Sequence, residues 1–397
     1  MAKPPRHAWV GGVGMTSFGR HAGRSLSDLG REACVDALRD AGLMPASVQA
    51  AYCGSALGAS LQGETGIGQS VLWELGIHGI PVVNVENACA TGATALHLAW
   101  RDVAWGIHDV VLAVGVDKSV MPKGSVLKAG TARFEAQLGD IFPGLFALIA
   151  QKHMQAHGTT LRQMAQVSVK NHDHGASNPL AQFNKRVTIE QVLESPMIAD
   201  PLTLFSCCPN SDGAAAVLVC SADRLRERGA GRGAGAVRVA ASVLGSGDYD
   251  PMRDLTFWES ELRTVRQAYA DAGLGPQDLD LAEVHDAFTI SEIIHCEALG
   301  LCDRGQGGPL VASGATALGG RIPVNPSGGL QARGHPPGAS GLAQVFEIVM
   351  QLRGQAARRQ IDGARVGLAQ IMGGSKGNDT QACAVHILVN DEAGSRA

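Results

Sequence analysis

The stretch 82-VVNVENACATGATALHLAWRDV-103 decides how the rest of this chain is read. β-Branched Val82, Val83 and Val85 read as a strand that stops at Asn87-Ala88-Cys89-Ala90. Small residues follow, and then Leu96, Ala99, Trp100 and Val103 recur at roughly helical spacing. The pattern predicts a strand, a tight elbow and a buried helix, with Cys89 at the elbow. A thiol there meets the positive end of a helix and its unpaired N–H groups, which favour a thiolate and can also hold an oxyanion. A small cysteine filling the core satisfies the same pattern.

Upstream of the elbow, Ala8 to Thr16 reads as an apolar strand. Ser25 and Asp28 have the spacing of a capping box before a helix over about 26–41 that ends at Gly42. A strand over Ala51 to Leu57 and a helix from Gly63 to Leu75 lead to the elbow. Downstream, Asp109 to Val116 is apolar throughout. Strands alternating with helices predict a parallel sheet covered on both faces. From Lys118 to about Ala199 the character changes to an inserted, partly helical loop region. It carries Lys118, Lys123, Lys128, Arg133, Lys170, Lys185 and Arg186, with His153, His157, His172 and His174. These cations would suit a phosphorylated ligand, and equally a solvated surface. A strand resumes over Ala214 to Cys220, and the Gly/Arg-rich run Arg224 to Gly235 predicts a boundary between halves 1–235 and 236–397.

The second half repeats the first. Asp40-Ala41-Gly42-Leu43-Met44-Pro45 returns as Asp271-Ala272-Gly273-Leu274-Gly275-Pro276, after a strand over Ala236 to Leu244 and a helix over about 257–271. GATALHLAW (92–100) returns as GASGLAQVFEIV (338–349), and VVLAVGVDKS (110–119) as VGLAQIMGGSKG (366–377). An internal duplication of a strand–helix–strand unit explains the order and approximate spacing of these echoes. The turn matching the Cys89 elbow holds His335, in GHPPG. A pseudo-twofold arrangement would therefore face Cys89 with an imidazole, as in an activated nucleophile.

ENACATG around Cys89, EVHDAF around His285, GHPPGASG around His335 and the glycines of IMGGSKG together resemble the thiolase superfamily, closest to its sterol-carrier type, in which HDxF replaces NEAF. The resemblance extends over essentially the whole chain, including DAGL, ADPL (199–202) and SDGAAAVLV (211–219). It implies the thiolase fold: an α/β protein of two duplicated halves in five layers (α/β/α/β/α) with an inserted loop region. It implies a CoA-dependent acyltransferase in which Cys89 carries the acyl group and His335 takes the thiol proton. His285 would hold the thioester oxygen, and the N–H groups of Cys89 and of Gly374 would bind the oxyanion. It further implies coenzyme A as co-substrate with no tightly bound cofactor and no metal, a homodimer or larger, and in some relatives a small OB-fold partner with a zinc ribbon. The chain departs from the pattern at the second catalytic cysteine: Ile371 and Ala287 stand where thiolases place it. Proton transfer at carbon would then fall to His285, His335 or water. The substrate would leave an easier carbanion, as an aryl-keto acyl-CoA such as benzoylsuccinyl-CoA does. A ketosynthase, a retro-aldolase or a non-catalytic lipid-binding subunit are the competing expectations.

The composition narrows the classes further. Hydrophobic residues at 45% with only 18% charged describe a chain with large buried cores. A net charge of −4 and no basic run with interleaved aromatics argue against a nucleic-acid partner. The nine cysteines form no CxxC, which argues against a structural zinc site and points to a reducing, cytoplasmic setting. No apolar run reaches the ~18 residues of a membrane span.

Overall fold

The computed structural model describes residues 5–121, 141–227, 236–250, 252–376 and 379–391. Nine strands join in one sheet: β1 (Ala8–Met15), β2 (Ala50–Gly54), β3 (Val82–Val85), β4 (Val110–Lys118), β5 (Asp212–Ser221), β6 (Val237–Gly245), β7 (Leu281–Glu283), β8 (Val366–Gly373) and β9 (Ala382–Asn390). Their order is β3-β2-β4-β5-β1-β6-β9-β8-β7. The order holds one arrangement twice, meeting at a short antiparallel pairing of Trp9 and Val10 with Arg238 and Val237. Among the described residues the second copy has no strand matching β3; Val324 bridges to Ala282 there as an isolated pair.

The sheet is mixed, not parallel as the alternation of elements predicts. β2 runs parallel to β3 and β4, and β7 parallel to β8, but β4–β5, β5–β1, β8–β9 and β9–β6 are antiparallel. The cause is the long excursion after β4. The chain leaves at Lys118 and returns at Asp212, its direct partner, so it re-enters the sheet at the end it left and must run backwards.

Helices complete five layers. α1 (Leu26–Ala41) and α2 (Ile67–Trp73) cover the outer face of the first half-sheet through Leu29, Ala33, Ala37 and Val71. α6 (Glu259–Ala272) and α7 (Thr289–Ala298) belong to the core on the outer face of the second, with Val265, Ala268, Ile290 and Ile294. Between the half-sheets lie α3 (Thr91–Ala104) and α8 (Pro337–Leu352), which share a core of Ala95, Leu96, Ala99, Leu342 and Val345. The layer is thin because of glycine: a Cβ on Gly115 of β4 would come within 2.1 Å of the Gly338 carbonyl oxygen. The arrangement is that of the thiolase fold.

Local signals behave as expected. The Ser25–Asp28 capping box forms at α1, and Gly42 ends the helix in the left-handed region at φ +56°. Gly273 ends α6 the same way at φ +67°, and each end leads into a short turn, Pro45–Ser47 and Pro276–Asp278. The helix before the elbow is shorter than Gly63–Leu75; Gly58–Gln62 takes a wide turn first.

The region after β4 is partly helical, with α4 (Phe142–His157) and α5 (Leu161–Gly175). Two of its described cations are already engaged within the chain. Lys170 is buried and paired with Glu292 at 2.8 Å, and Lys118 donates to the Arg24 carbonyl at 2.6 Å. Lys123, Lys128, Arg133 and the connector residues 228–235 lie outside the described residues. No helix among the described residues is long and apolar enough to cross a membrane.

Candidate active site

The elbow is built under strain. Ala88 has φ +48°, a left-handed value that side-chain-bearing residues rarely adopt. Thr91 clamps it: its Oγ1 donates to the Ala88 carbonyl at 2.6 Å and accepts the Asn87 N–H at 2.8 Å. The Glu86 carboxylate accepts the Ala88 N–H at 2.7 Å. Cys89 is thereby aimed away from the core, half-buried at the start of α3. The N–H groups against its sulfur are its own and that of Gly374, at the end of β8, rather than those of the helix. Gly374 sits at φ +63°, and a Cβ there would meet the end of Gln381 at 2.0 Å.

His335 approaches from the second half. Its Nε2 lies 3.3 Å from the Cys89 sulfur. The tautomer follows from the neighbours. Ser340 gives its hydroxyl proton to the Pro336 carbonyl at 2.9 Å, so its oxygen accepts from His335 Nδ1 at 2.8 Å. The Nε2 lone pair therefore faces the thiol. The His335 N–H donates to Ser211 Oγ at 2.9 Å. Asp117, at the end of β4, accepts the Gly338 N–H at 2.5 Å and those of Ala56 and Leu57, and so ties the start of α8 to the first half. Burial pushes the Asp117 carboxyl up to about 6 against these donors.

His285 has the opposite tautomer. Its Nδ1 accepts the Met372 N–H at 3.3 Å, so Nε2 carries the proton. That Nε2 is buried without a partner and lines the same cavity. It presents a donor, not a base. Asp286, next in the chain, accepts the N–H groups of Leu330 and Gln331 and so fixes the turn that carries His335. One donor atom each of Cys89, His285 and His335 lies within 4.8 Å of the others.

Burial pushes the Cys89 thiol up to about 12 and the His335 imidazole down to about 3. Each shift disfavours a lone charge. The low-cost way to make a thiolate here is to move its proton across 3.3 Å to His335, where the two charges compensate. Thiol–imidazole and thiolate–imidazolium contain the same number of protons, so their ratio does not depend on pH. Alkylation of Cys89 by iodoacetamide is therefore expected to rise less steeply with pH than in a chain without the imidazole, most visibly near pH 6, where loss of the proton to solvent is rarest. In His335→Ala the thiol must lose its proton to solvent, so the rate should rise about tenfold per pH unit.

The cavity of about 240 Å³ extends from Cys89 between α4 and α7. Its far wall is apolar: Phe146 stacks on Phe288 at 4.4 Å and lies 6.2 Å from Trp258. Sequence reasoning missed this wall, Ser211, Ser340 and Asp117, and it missed Cys207 and Cys208, which also line the cavity. Ser211, Ser340 and Phe288 stood inside matched motifs and Asp117 inside the repeated VVLAVGVDKS; the other residues carried no signal beyond their type.

Residues 9–223 match the model for the thiolase N-terminal domain, and residues 242–388 that for the thiolase C-terminal domain-like family. An acetyl-CoA acetyltransferase of Methanothermobacter thermautotrophicus is 43% identical over 388 residues, covering 96% of this chain and 99% of that protein. The benzoylsuccinyl-CoA thiolase subunit BbsB of Thauera aromatica is 39% identical over 378 residues, covering 94% and 96%. Among solved structures, the Ltp2-ChsH2(DUF35) aldolase superposes with a TM-score of 0.81 at 26% identity, covering 98% of this chain and 99% of that one. Fold, paired halves and relatives agree: the chain belongs to the thiolase family and is an acyltransferase of thiolase type.

Proposed function

We propose that the chain cleaves or forms the carbon–carbon bond of a 3-ketoacyl-CoA through an acyl group carried on Cys89. The observation that carries this is the His335 Nε2 lone pair, fixed by Ser340 and set 3.3 Å from the Cys89 sulfur. In the cleavage direction the thiol proton passes to His335 as sulfur attacks the keto carbon. The N–H groups of Cys89 and Gly374 hold the oxyanion, and the His285 Nε2–H holds the thioester oxygen of the enolate that departs. Free coenzyme A then takes the acyl group. No tightly bound cofactor or metal enters these steps.

The cavity wall favours a bulky or aryl acyl group. Phe146, Phe288 and Trp258 line the cavity with apolar ring surface, which an acetyl group would leave unfilled. The similarity to a benzoylsuccinyl-CoA thiolase subunit supports an aryl-keto acyl-CoA. The aldolase neighbour supports a second reading, a retro-aldol cleavage with a small zinc-ribbon OB-fold partner. Retention of Cys89 and His335 in contact favours the acyl-enzyme, since aldol cleavage needs no thiolate. We place the chain in the cytoplasm as a homodimer, in a β-oxidation-like degradation. Gly374→Ala tests the oxyanion assignment. It forces a side chain into a left-handed turn and displaces the N–H, so acyl transfer should fall by about 10²- to 10³-fold in steady-state assays. Full activity in that variant would remove Gly374 from the site. A panel of acetyl-, succinyl- and aryl-keto acyl-CoAs, read by intact mass, tests the substrate class. Carbon–carbon cleavage with no adduct on Cys89 would favour the aldol reading.

A further inference from the structure

Cleavage of a 3-ketoacyl-CoA leaves an electron pair on the α-carbon, and some group must protonate it. The cavity offers few. His335 Nε2 faces the Cys89 thiol, and the His285 Nε2–H is given to the thioester oxygen in the reading above. Asp379 is held by the Asp248 and Thr380 N–H groups and by Ser260. Ala287 and Ile371 carry no titratable atom.

Resting on the acyl-enzyme reading above, we propose that Cys208 is the acid and base at the α-carbon. The segment carrying it crosses the site from the HDAF motif to the GHPPG turn. Cys207 pairs antiparallel with Phe288, and Asn210 pairs with His335. The Cys208 N–H donates to the Ala287 carbonyl at 2.8 Å. One bridge and one hydrogen bond thus hold residue 208 directly beside position 287. The thiol that position 287 lacks is supplied from the facing segment, one strand spacing away. Cys208 and Ala287 line the cavity with Cys89 and His285. Cys207 is differently placed: its sulfur donates to the Thr203 carbonyl at 3.4 Å. Burial and a negative charge on Cys89 both push the Cys208 thiol upward, so it keeps its proton until a carbanion appears.

The protons balance. Attack by Cys89 sends its proton to His335. The α–β carbon bond breaks, its electron pair stays on the α-carbon, and the Cys208 S–H protonates it, leaving a thiolate. Incoming CoA–SH gives its proton to that thiolate as its sulfur displaces Cys89 from the acyl group. Cys89 regains its proton from the His335 imidazolium.

The test uses the full chain in deuterated buffer with acetyl-, propionyl- or succinyl-CoA. Intact mass reads acylation of Cys89, and mass spectrometry of the recovered CoA ester reads deuterium at the α-carbon. Cys208→Ala should still be acylated but exchange about 10²- to 10⁴-fold more slowly than the native chain. Cys208→Ser, which keeps the side-chain shape and a polar hydrogen, should show the same split and decides the matter if the alanine variant does not fold. A Cys208 variant that is acylated and exchanges at the native rate overturns the inference while leaving the acyl-enzyme intact. So does loss of exchange in Cys207→Ala instead. A native chain that no ester acylates overturns the acyl-enzyme reading and this inference with it.

Discussion

Cys89→Ala is expected to lower acyl-transfer turnover by about 10⁴- to 10⁶-fold, the scale on which loss of a covalent nucleophile acts. The effect is local. The sulfur sits against its own N–H and that of Gly374, with His335 Nε2 at 3.3 Å. No other thiol contacts that imidazole, and Cys207 and Cys208 stand across the cavity on a different segment. Removing the sulfur leaves the oxyanion donors and the apolar wall in place, so residual binding of an acyl-CoA should persist. Folding should barely change, because the strain at Ala88 is held by Thr91 and Glu86 rather than by the thiol. Steady-state rates and the urea midpoint, measured together, check both halves. A variant with more than about a tenth of native turnover would mean that Cys89 is the core filler its small neighbours allow.

Arg333→Met is expected to have the largest effect on stability, about 3–5 kcal/mol. Arg333 is the bulkiest fully buried side chain among the described residues, 1% exposed, and donates to Glu283 and to Ser327 Oγ at 3.0 Å each. Burial already pushes Glu283 up to about 7 against the pull of Arg333. Without the guanidinium, Glu283 is a buried acid with only Ser327 left, and it must protonate or unfold its surroundings. Glu283→Gln together with Arg333→Met should recover much of the loss, since no lone charge then remains. Arg333 lies two residues before His335 and Glu283 two before His285, so activity should fall with stability and return with it. Urea denaturation of the single and double variants decides this; an unchanged midpoint in Arg333→Met would contradict it.

The parts of this site that were legible in sequence were those fixed by short-range chemistry or by the duplication. The two DAGL turns formed as written because a left-handed glycine ending a helix is a local event. The approach of Cys89 and His335 was legible because two copies of one unit place equivalent turns together. The polarity of the sheet was not, because it depends on where the excursion after β4 returns, and no residue pattern states that. Lys170 read as one cation among several, yet it lies buried on Glu292, a partner far along the chain. Cys208 was invisible for the same reason: its place opposite Ala287 arises from one bridge between segments distant in sequence.

The most direct test of the account is the mass of the intact chain after incubation with a panel of acyl- and 3-ketoacyl-CoAs, before and after adding free coenzyme A. The account predicts one acyl group, lodged on Cys89, absent from Cys89→Ala and released as a CoA ester. Carbon–carbon cleavage without any adduct, or an adduct that maps to another residue, would contradict it.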